Sequence, residues 1–335
     1  MALKKKHDIQ KDVCSVNEDA SKKHEQRRIL ITGSAGFIAS SLAEKLSERQ
    51  ENDIVIVDNL STGTLKKIPR GGNVRFIKCD VNEFRDISNI FFSFQPDYVF
   101  HYAAVVGVSR TLENPVKVLD DVTGIKKILD LSKSAGVKRI LYSSSSEVYG
   151  EPVELPQHEE TTPLNSRLPY AIVKNIGEAY LKAYKQEFGL DYTVFRFFNT
   201  YGPRQSRDFV ISKFISRALK NDDIEVFGDG KQTRTFCFID DNIEATTNAF
   251  YQNKFVNDVV NIGSDNEITI LELAKTIIRL THSKSKIVHL PPLPEGDMSR
   301  RKPDISKMKQ LIFHPLLSFE EGVKNILANT QFILT

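Results

Sequence analysis

Tyr170 and Lys174 stand four residues apart, a spacing that on a helix puts the phenol and the ammonium one turn apart on one face. An ammonium so placed favours the tyrosinate, and a tyrosinate is a general base able to take a proton from a hydroxyl. Alone, the pair reads better as a plain surface contact, and only the motifs that follow reverse that reading. A second group lies upstream, where the apolar run Ile140-Leu141-Tyr142 leads into Ser143-Ser144-Ser145-Ser146-Glu147. A strand ending there would present hydroxyls and one carboxylate at its tip, with Ser145, Ser146 and Glu147 as the groups for chemistry. Glu147 could also be a structural acceptor for backbone N–H groups.

A third constellation needs the backbone more than side chains. Ile29-Leu30-Ile31 runs into Gly33-Ser34-Ala35-Gly36-Phe37-Ile38-Ala39, a glycine turn between a strand and a helix. Such a turn lets the backbone approach a pyrophosphate, which the N–H groups and dipole of the helix N-terminus attract. Asp58 closes the next apolar run, at the distance where a carboxylate accepts hydrogen bonds from an adenosine ribose; its charge would repel a 2′-phosphate and so favours NAD over NADP. The same carboxylate would serve as a cap for the Asn59–Gly63 loop. Asp80, at another strand end, is a weaker candidate for the adenine edge.

The elements that must position these groups follow from periodicity. Ile29–Ile31, Ile54–Val57, Val74–Ile77, Tyr98–Phe100, Ile140–Tyr142 and Tyr192–Phe195 are short β-rich runs, each followed by turn residues and helical spacing. The alternation predicts an α/β fold with a doubly wound, Rossmann-type parallel sheet. After Pro203 it weakens, with Gly228-Asp229-Gly230 and Pro291, Pro292 and Pro294 as breaks, so a smaller substrate-binding region is expected over 201–335, the dinucleotide domain over 27–200 with later returns of the chain to it, and a flexible charged tail over 1–26.

Composition narrows the function classes. A net charge of +3 on 335 residues gives no stripe for nucleic-acid phosphates, and no apolar run is long enough to cross a bilayer. Cys14, Cys79 and Cys237 lie far apart without metal-ligand spacing, so no metal site is expected and the protein reads as cytoplasmic with reduced thiols.

Taken together, the glycine turn, Asp58, the serine strand end and Tyr170xxxLys174 resemble the extended short-chain dehydrogenase/reductase family, in its nucleotide-sugar epimerase/dehydratase branch. The resemblance runs from Arg28 almost to the C-terminus and includes Phe197-Phe198-Asn199-Thr200-Tyr201-Gly202-Pro203-Arg204, Gly228-Asp229-Gly230-Lys231-Gln232-Thr233-Arg234 and Arg300-Arg301-Lys302-Pro303-Asp304-Ile305. It implies NAD as cofactor, held by Gly33, Gly36, Phe37, Ile38, Asp58, Asn59, Asp80, Val81, Ala103, Tyr170 and Lys174. It implies Tyr170 as base, Ser145 on the carbon 4 oxygen of a hexose, and Asn199 and Arg234 facing the sugar diphosphate. Homodimers are common in this family, with the helix carrying Tyr170 and Lys174 as a contact.

Oxidation at carbon 4 makes the carbon 5 proton acidic, and three outcomes follow. Glu147 resembles the acidic residue of 4,6-dehydratases and glucuronate decarboxylases, whereas 4-epimerases usually carry a small neutral residue there. Arg301 matches an arginine that serves UDP-glucuronate decarboxylases near the substrate carboxylate; Pro203–Ser206 is closer to hexosamine dehydratases, and Val105–Arg110 to epimerases. The reading adopted from sequence is a nucleotide-sugar 4,6-dehydratase in which Glu147 takes the carbon 5 proton. Ser146 stands where many glucose dehydratases have an Asp. The alternatives are UDP-glucuronate decarboxylase, nucleotide-sugar 4-epimerase, an oxidoreductase acting on a free sugar or steroid, and, outside enzymes, a noncatalytic NAD-binding sensor.

Overall fold

The computed structural model describes residues 26–107, 111, 113–292 and 300–329. All but the last residue of the expected tail, and Cys14 with it, lie outside them.

Six parallel strands alternate with helices in the first two hundred residues: β1 (Arg27–Thr32), α1 (Phe37–Ser47), β2 (Asn52–Asp58), β3 (Val74–Lys78), α2 (Phe84–Phe94), β4 (Tyr98–His101), α3 (Pro115–Ala135), β5 (Arg139–Ser145), α4 (Pro169–Phe188) and β6 (Asp191–Phe197). Then come β7 (Thr200–Tyr201), α5 (Val210–Lys220), β8 (Ile224–Phe227), β9 (Thr233–Thr235), β10 (Cys237–Phe238), α6 (Ile239–Tyr251), β11 (Asp258–Ile262), β12 (Glu267–Thr269), α7 (Ile270–Leu280), β13 (Ile287–Leu290) and α8 (Phe319–Ala328).

All six strands expected from the apolar runs form. They are joined by β11 in one seven-stranded sheet of order β11-β6-β5-β4-β1-β2-β3, parallel throughout. β1 is the point where the order reverses, and there the carboxyl ends of the strands open a crevice. The remaining strands form three two-stranded pairs, β10 with β7, β12 with β9 and β13 with β8.

Two cores sandwich the sheet. Ile29 and Ile31 of β1 pack with Leu42, Phe100 and Phe250 on one face, while Leu30 packs with Phe91, Ile128 and Val194 on the other. Such runs are apolar on consecutive residues because helices cover both faces, and each fully buried Ile or Leu contributes about 1.5–3 kcal/mol. α3 and α4 pack side by side. Gly177 lets α4 approach the sheet, since a Cβ there would collide with the Tyr142 ring. That close approach brings the Tyr170–Lys174 turn to the end of β5.

Candidate active site

A cleft of about 700 Å³ opens at the carboxyl ends of the strands, and its walls carry the residues of all three sequence constellations. At one end lie Gly33, Gly36, Phe37, Ile38, Asp58, Asn59, Asp80, Val81 and Ala103; at the other lie Ser145, Ser146, Glu147, Tyr170, Lys174, Asn199 and Arg301.

The glycine turn is shaped for close approach. Gly33 has φ +73°, and a Cβ on it would sit 2.7 Å from the Ala103 Cα, so only glycine fits without strain. Gly36 is the N-cap of α1, and no side chain caps that helix end, which leaves its first turn as an anion seat. Asp58 accepts from Ala35 N at 3.0 Å and from Leu60 N at 2.7 Å. The loop-capping role is therefore present, with a second bond that ties the loop to the glycine turn. Asn59 donates to Asp80 at 3.0 Å, and Thr32 Oγ1 accepts from Tyr102 N and Ala103 N, both at 3.1 Å. A narrow, glycine-floored cradle ending in a carboxylate fits a dinucleotide without a 2′-phosphate.

At the other end Lys174 is buried and donates to Ser143 O at 2.6 Å. Burial depresses its pKa to about 8, against the pull of the Asp121 and Glu178 carboxylates. Its ammonium lies 5.8 Å from the centre of the Tyr170 ring. The phenol is nevertheless pushed up from its ordinary value: burial is the largest cause and the Glu147 charge the next, against a hydrogen bond with Ser145 and the Arg301 charge. The tyrosinate expected from helix spacing alone is thus opposed by desolvation, which the spacing does not reveal. His101 is buried, bonded to Thr32 Oγ1 at 2.8 Å and held far below its usual pKa, to about 3, first by burial and then by Lys174. It is neutral at physiological pH.

Glu147 sits in a 3-10 turn, Ser146–Tyr149, capped by Ser145, whose Oγ accepts from Glu147 N at 3.2 Å. Its carboxylate pairs with Arg301 at 3.5 Å, with the arginine side chain 7% exposed. Ser146 is buried.

One expected site residue lies elsewhere. Arg234 is not among the residues lining the cleft; it sits on β9, paired antiparallel with β12 across Ile268, and its guanidinium donates to Thr233 O at 2.7 Å. Sequence missed Asp121, which lines the cleft from α3 and accepts from Val105 N at 2.8 Å. No motif surrounds it, because its contacts are with residues distant in sequence. Lys67, in the wall near Asp58, was missed likewise. His158, Glu159 and Asp304 gather with ligand atoms within 4.8 Å of one another, although His158 Nδ1 accepts from Glu160 N at 3.2 Å. The sequence reading foresaw no such group.

Residues 29–263 match the model of the NAD dependent epimerase/dehydratase family, a span that takes in the cradle and Tyr170–Lys174 together. The chain belongs to that family. It takes NAD, and it is a nucleotide-sugar modifying enzyme of the extended short-chain dehydrogenase/reductase type. A family member from Bacillus cytotoxicus, described as a UDP-N-acetyl-alpha-D-glucosaminuronate decarboxylase, is 40% identical over 319 residues, covering 89% of this chain and 96% of its own. UDP-glucuronic acid decarboxylase 3 of Arabidopsis thaliana is 36% identical, covering 88% and 86%. Among solved structures, the UDP-glucose 4-epimerase of Thermotoga maritima with UDP-glucose superposes with a TM-score of 0.86 at 33% identity, over 92% of this chain and all of that one. No helix among the described residues is long and apolar enough to cross a membrane.

Proposed function

We propose that the protein decarboxylates a nucleotide-linked uronic acid after oxidising it at carbon 4. The observation that carries this is Arg301: a buried guanidinium held 3.5 Å from Glu147 in the cleft that also contains Tyr170 and Ser145. A planar, permanently charged fork suits a substrate carboxylate. The similarity to two uronate decarboxylases supports the same reading. This replaces the dehydratase reading adopted from sequence.

Gly33, Gly36 and the α1 N-terminus would seat the NAD pyrophosphate, with Asp58 at the adenosine ribose and Lys174 and Tyr170 beside the nicotinamide. Bound there, NAD supplies a reversible hydride acceptor for carbon 4. Tyr170 takes the carbon 4 hydroxyl proton, and Ser145 holds that oxygen. Once carbon 4 is a ketone, the carboxylate at carbon 5 belongs to a β-keto acid. Loss of carbon dioxide leaves the electron pair spread onto the carbon 4 oxygen, where Ser145 and the protonated Tyr170 stabilise it; a proton from water would then replace the lost carboxylate at carbon 5, and return of the hydride to carbon 4, with the Tyr170 proton going back to its oxygen, would close the cycle. Arg301 orients the carboxylate, and Glu147 fixes the guanidinium from the other side. Asn199 lines the cleft where a diphosphate would lie.

Glu147 also keeps a 4,6-dehydratase in view as a second reading, since a carboxylate near carbon 5 could take its proton. Its partnership with Arg301 and the absence of an acid at Ser146 weigh against that use. Incubation with NAD and UDP-glucuronate, UDP-N-acetylglucosaminuronate, UDP-glucose or UDP-N-acetylglucosamine, followed by product mass, decides. The proposal expects carbon dioxide loss from a uronate; loss of water from a neutral sugar overturns it. Arg301→Gln should lower carbon dioxide release roughly a hundredfold, the scale of a lost charged hydrogen-bond pair.

We also propose a homodimer through the α3–α4 face, where Val116, Leu119 and Ile172 stay exposed. Light scattering that returns a monomer mass at micromolar concentration overturns it.

A further inference from the structure

Behind the cleft runs a buried polar chain that the reaction as described does not use. Ser144, next to Ser145 on β5, donates to Glu178 at 2.6 Å, and Glu178 takes two bonds from Arg196, at 3.0 and 2.7 Å. Arg196 also donates to the Tyr149 hydroxyl at 2.8 Å, and that hydroxyl donates to Asn261 Oδ1 at 2.7 Å. Arg196 and Asn261 are register partners on β6 and β11. Asn261 then reaches out of the sheet, its amide donating to Gln157 O at 2.9 Å and Asp304 O at 3.2 Å.

The far end of this chain is the segment that carries Arg301. Gln157 N bonds Lys302 O at 2.7 Å, and Asp304 N bonds Gln157 O at 2.8 Å, so the backbone on both sides of Pro303 is pinned to residue 157. The near end is the turn that carries Glu147, because Tyr149 is its last residue. Tyr149 and Asn261 thus connect the two segments whose side chains meet as the Glu147–Arg301 pair.

We propose that Tyr149 and Asn261 are positioning residues that keep the carboxylate-handling side of the cleft in register with the oxidising side; this rests on the decarboxylase reading above. The oxidising side has its own supports, Lys174 on Ser143 O and Glu178 on Arg196, which do not pass through the Tyr149 hydroxyl. Removing that hydroxyl leaves the Asn261 acceptor without its buried donor and relaxes the Arg301 segment, while Arg196 keeps both bonds to Glu178.

The test is Tyr149→Phe in the full chain with NAD, given UDP-glucuronate and UDP-N-acetylglucosaminuronate. NADH formation is followed by stopped-flow absorbance and carbon dioxide release in parallel. The expected result is NADH formation within about twofold of the parent and carbon dioxide released per NADH reduced about tenfold, so that NADH accumulates. Equal losses in both steps, as a general structural defect gives, or an unchanged ratio, overturn the proposal. If Tyr149→Phe fails to bind NAD like the parent, Asn261→Asp is read in the same way, since it keeps the acceptor for Tyr149 and removes the donors to Gln157 and Asp304. A parent enzyme that releases no carbon dioxide from either uronate sinks the decarboxylase reading and this proposal with it; a parent that does, with a variant ratio unchanged, sinks this proposal alone.

Discussion

The two ends of the cleft are built from different materials. The cradle end is backbone: a glycine at φ +73°, an uncapped helix start, and a carboxylate spent on two N–H groups. The reacting end is side chain, with Tyr170, Lys174, Glu147 and Arg301 gathered from three separate stretches and backed by the buried Arg196–Glu178 pair. The difference teaches where each tolerates change. A backbone cradle is indifferent to most neighbouring side chains but not to the loss of its glycines, whereas the reacting end depends on charges whose burial must be compensated from far along the chain.

Substitutions can separate these two dependences, and the largest effect belongs to the base. Tyr170→Phe should cut turnover by about 10²–10⁴-fold while NAD titration by fluorescence stays as in the parent; a turnover within tenfold of the parent would remove Tyr170 from its assigned role. Glu178→Ala strands the Arg196 guanidinium in the interior and should cost about 3–5 kcal/mol in urea unfolding. At the cradle, Gly33→Ala forces a side chain into a left-handed conformation against Ala103. Strain of about 1–2 kcal/mol is the minimum, visible as a lower Tm together with weaker NAD binding.

How much of this was legible beforehand divides along the same line. The glycine turn and Asp58 could be read because strand, turn and helix are contiguous and the geometry is local. All six early strands were legible for the same reason, since a parallel strand covered on both faces is apolar on consecutive residues. Tyr170 and Lys174 could be paired by spacing, but the sign of the phenol's pKa shift could not, because burial is a property of the whole fold. Glu147 and Arg301 were noticed separately, the first as common to dehydratases and decarboxylases and the second as a decarboxylase feature; nothing in the sequence shows that residues so far apart form one ion pair. Asp121 carried no signal, and the placement of Arg234 outside the cleft follows from a pairing of β9 with β12 that the weak periodicity after Pro203 does not announce.

A pH series probes the charge-dependent end more gently. Lys174 titrates near 8 in the folded protein, well below its free value, because burial disfavours the ammonium. The unfolded chain therefore binds more protons than the folded one between about pH 8 and 10.5, and stability should rise with pH across that window. If the ammonium is needed beside Tyr170, kcat/KM should fall through the same value of about 8, and Lys174→Met should lack that limb. At the small end, Lys126 pairs with Asp130 on the surface of α3. Lys126→Ala should shift stability by less than about 0.5 kcal/mol, a contrast with Glu178→Ala that sets an exposed pair against a buried one.

The late arrival of β11 shapes how the molecule must be made. β6 is complete at residue 197, yet the strand that covers its outer edge is not supplied until 258–262. Any sheet formed before residues 258–262 are made has β6 as its open edge, with the ladder groups of Thr193-Val194-Phe195 unpaired, the kind of edge that templates pairing with another chain. A chain cut short before residue 258 keeps that edge open, and a tendency to pair with other chains is the physical consequence of the delay.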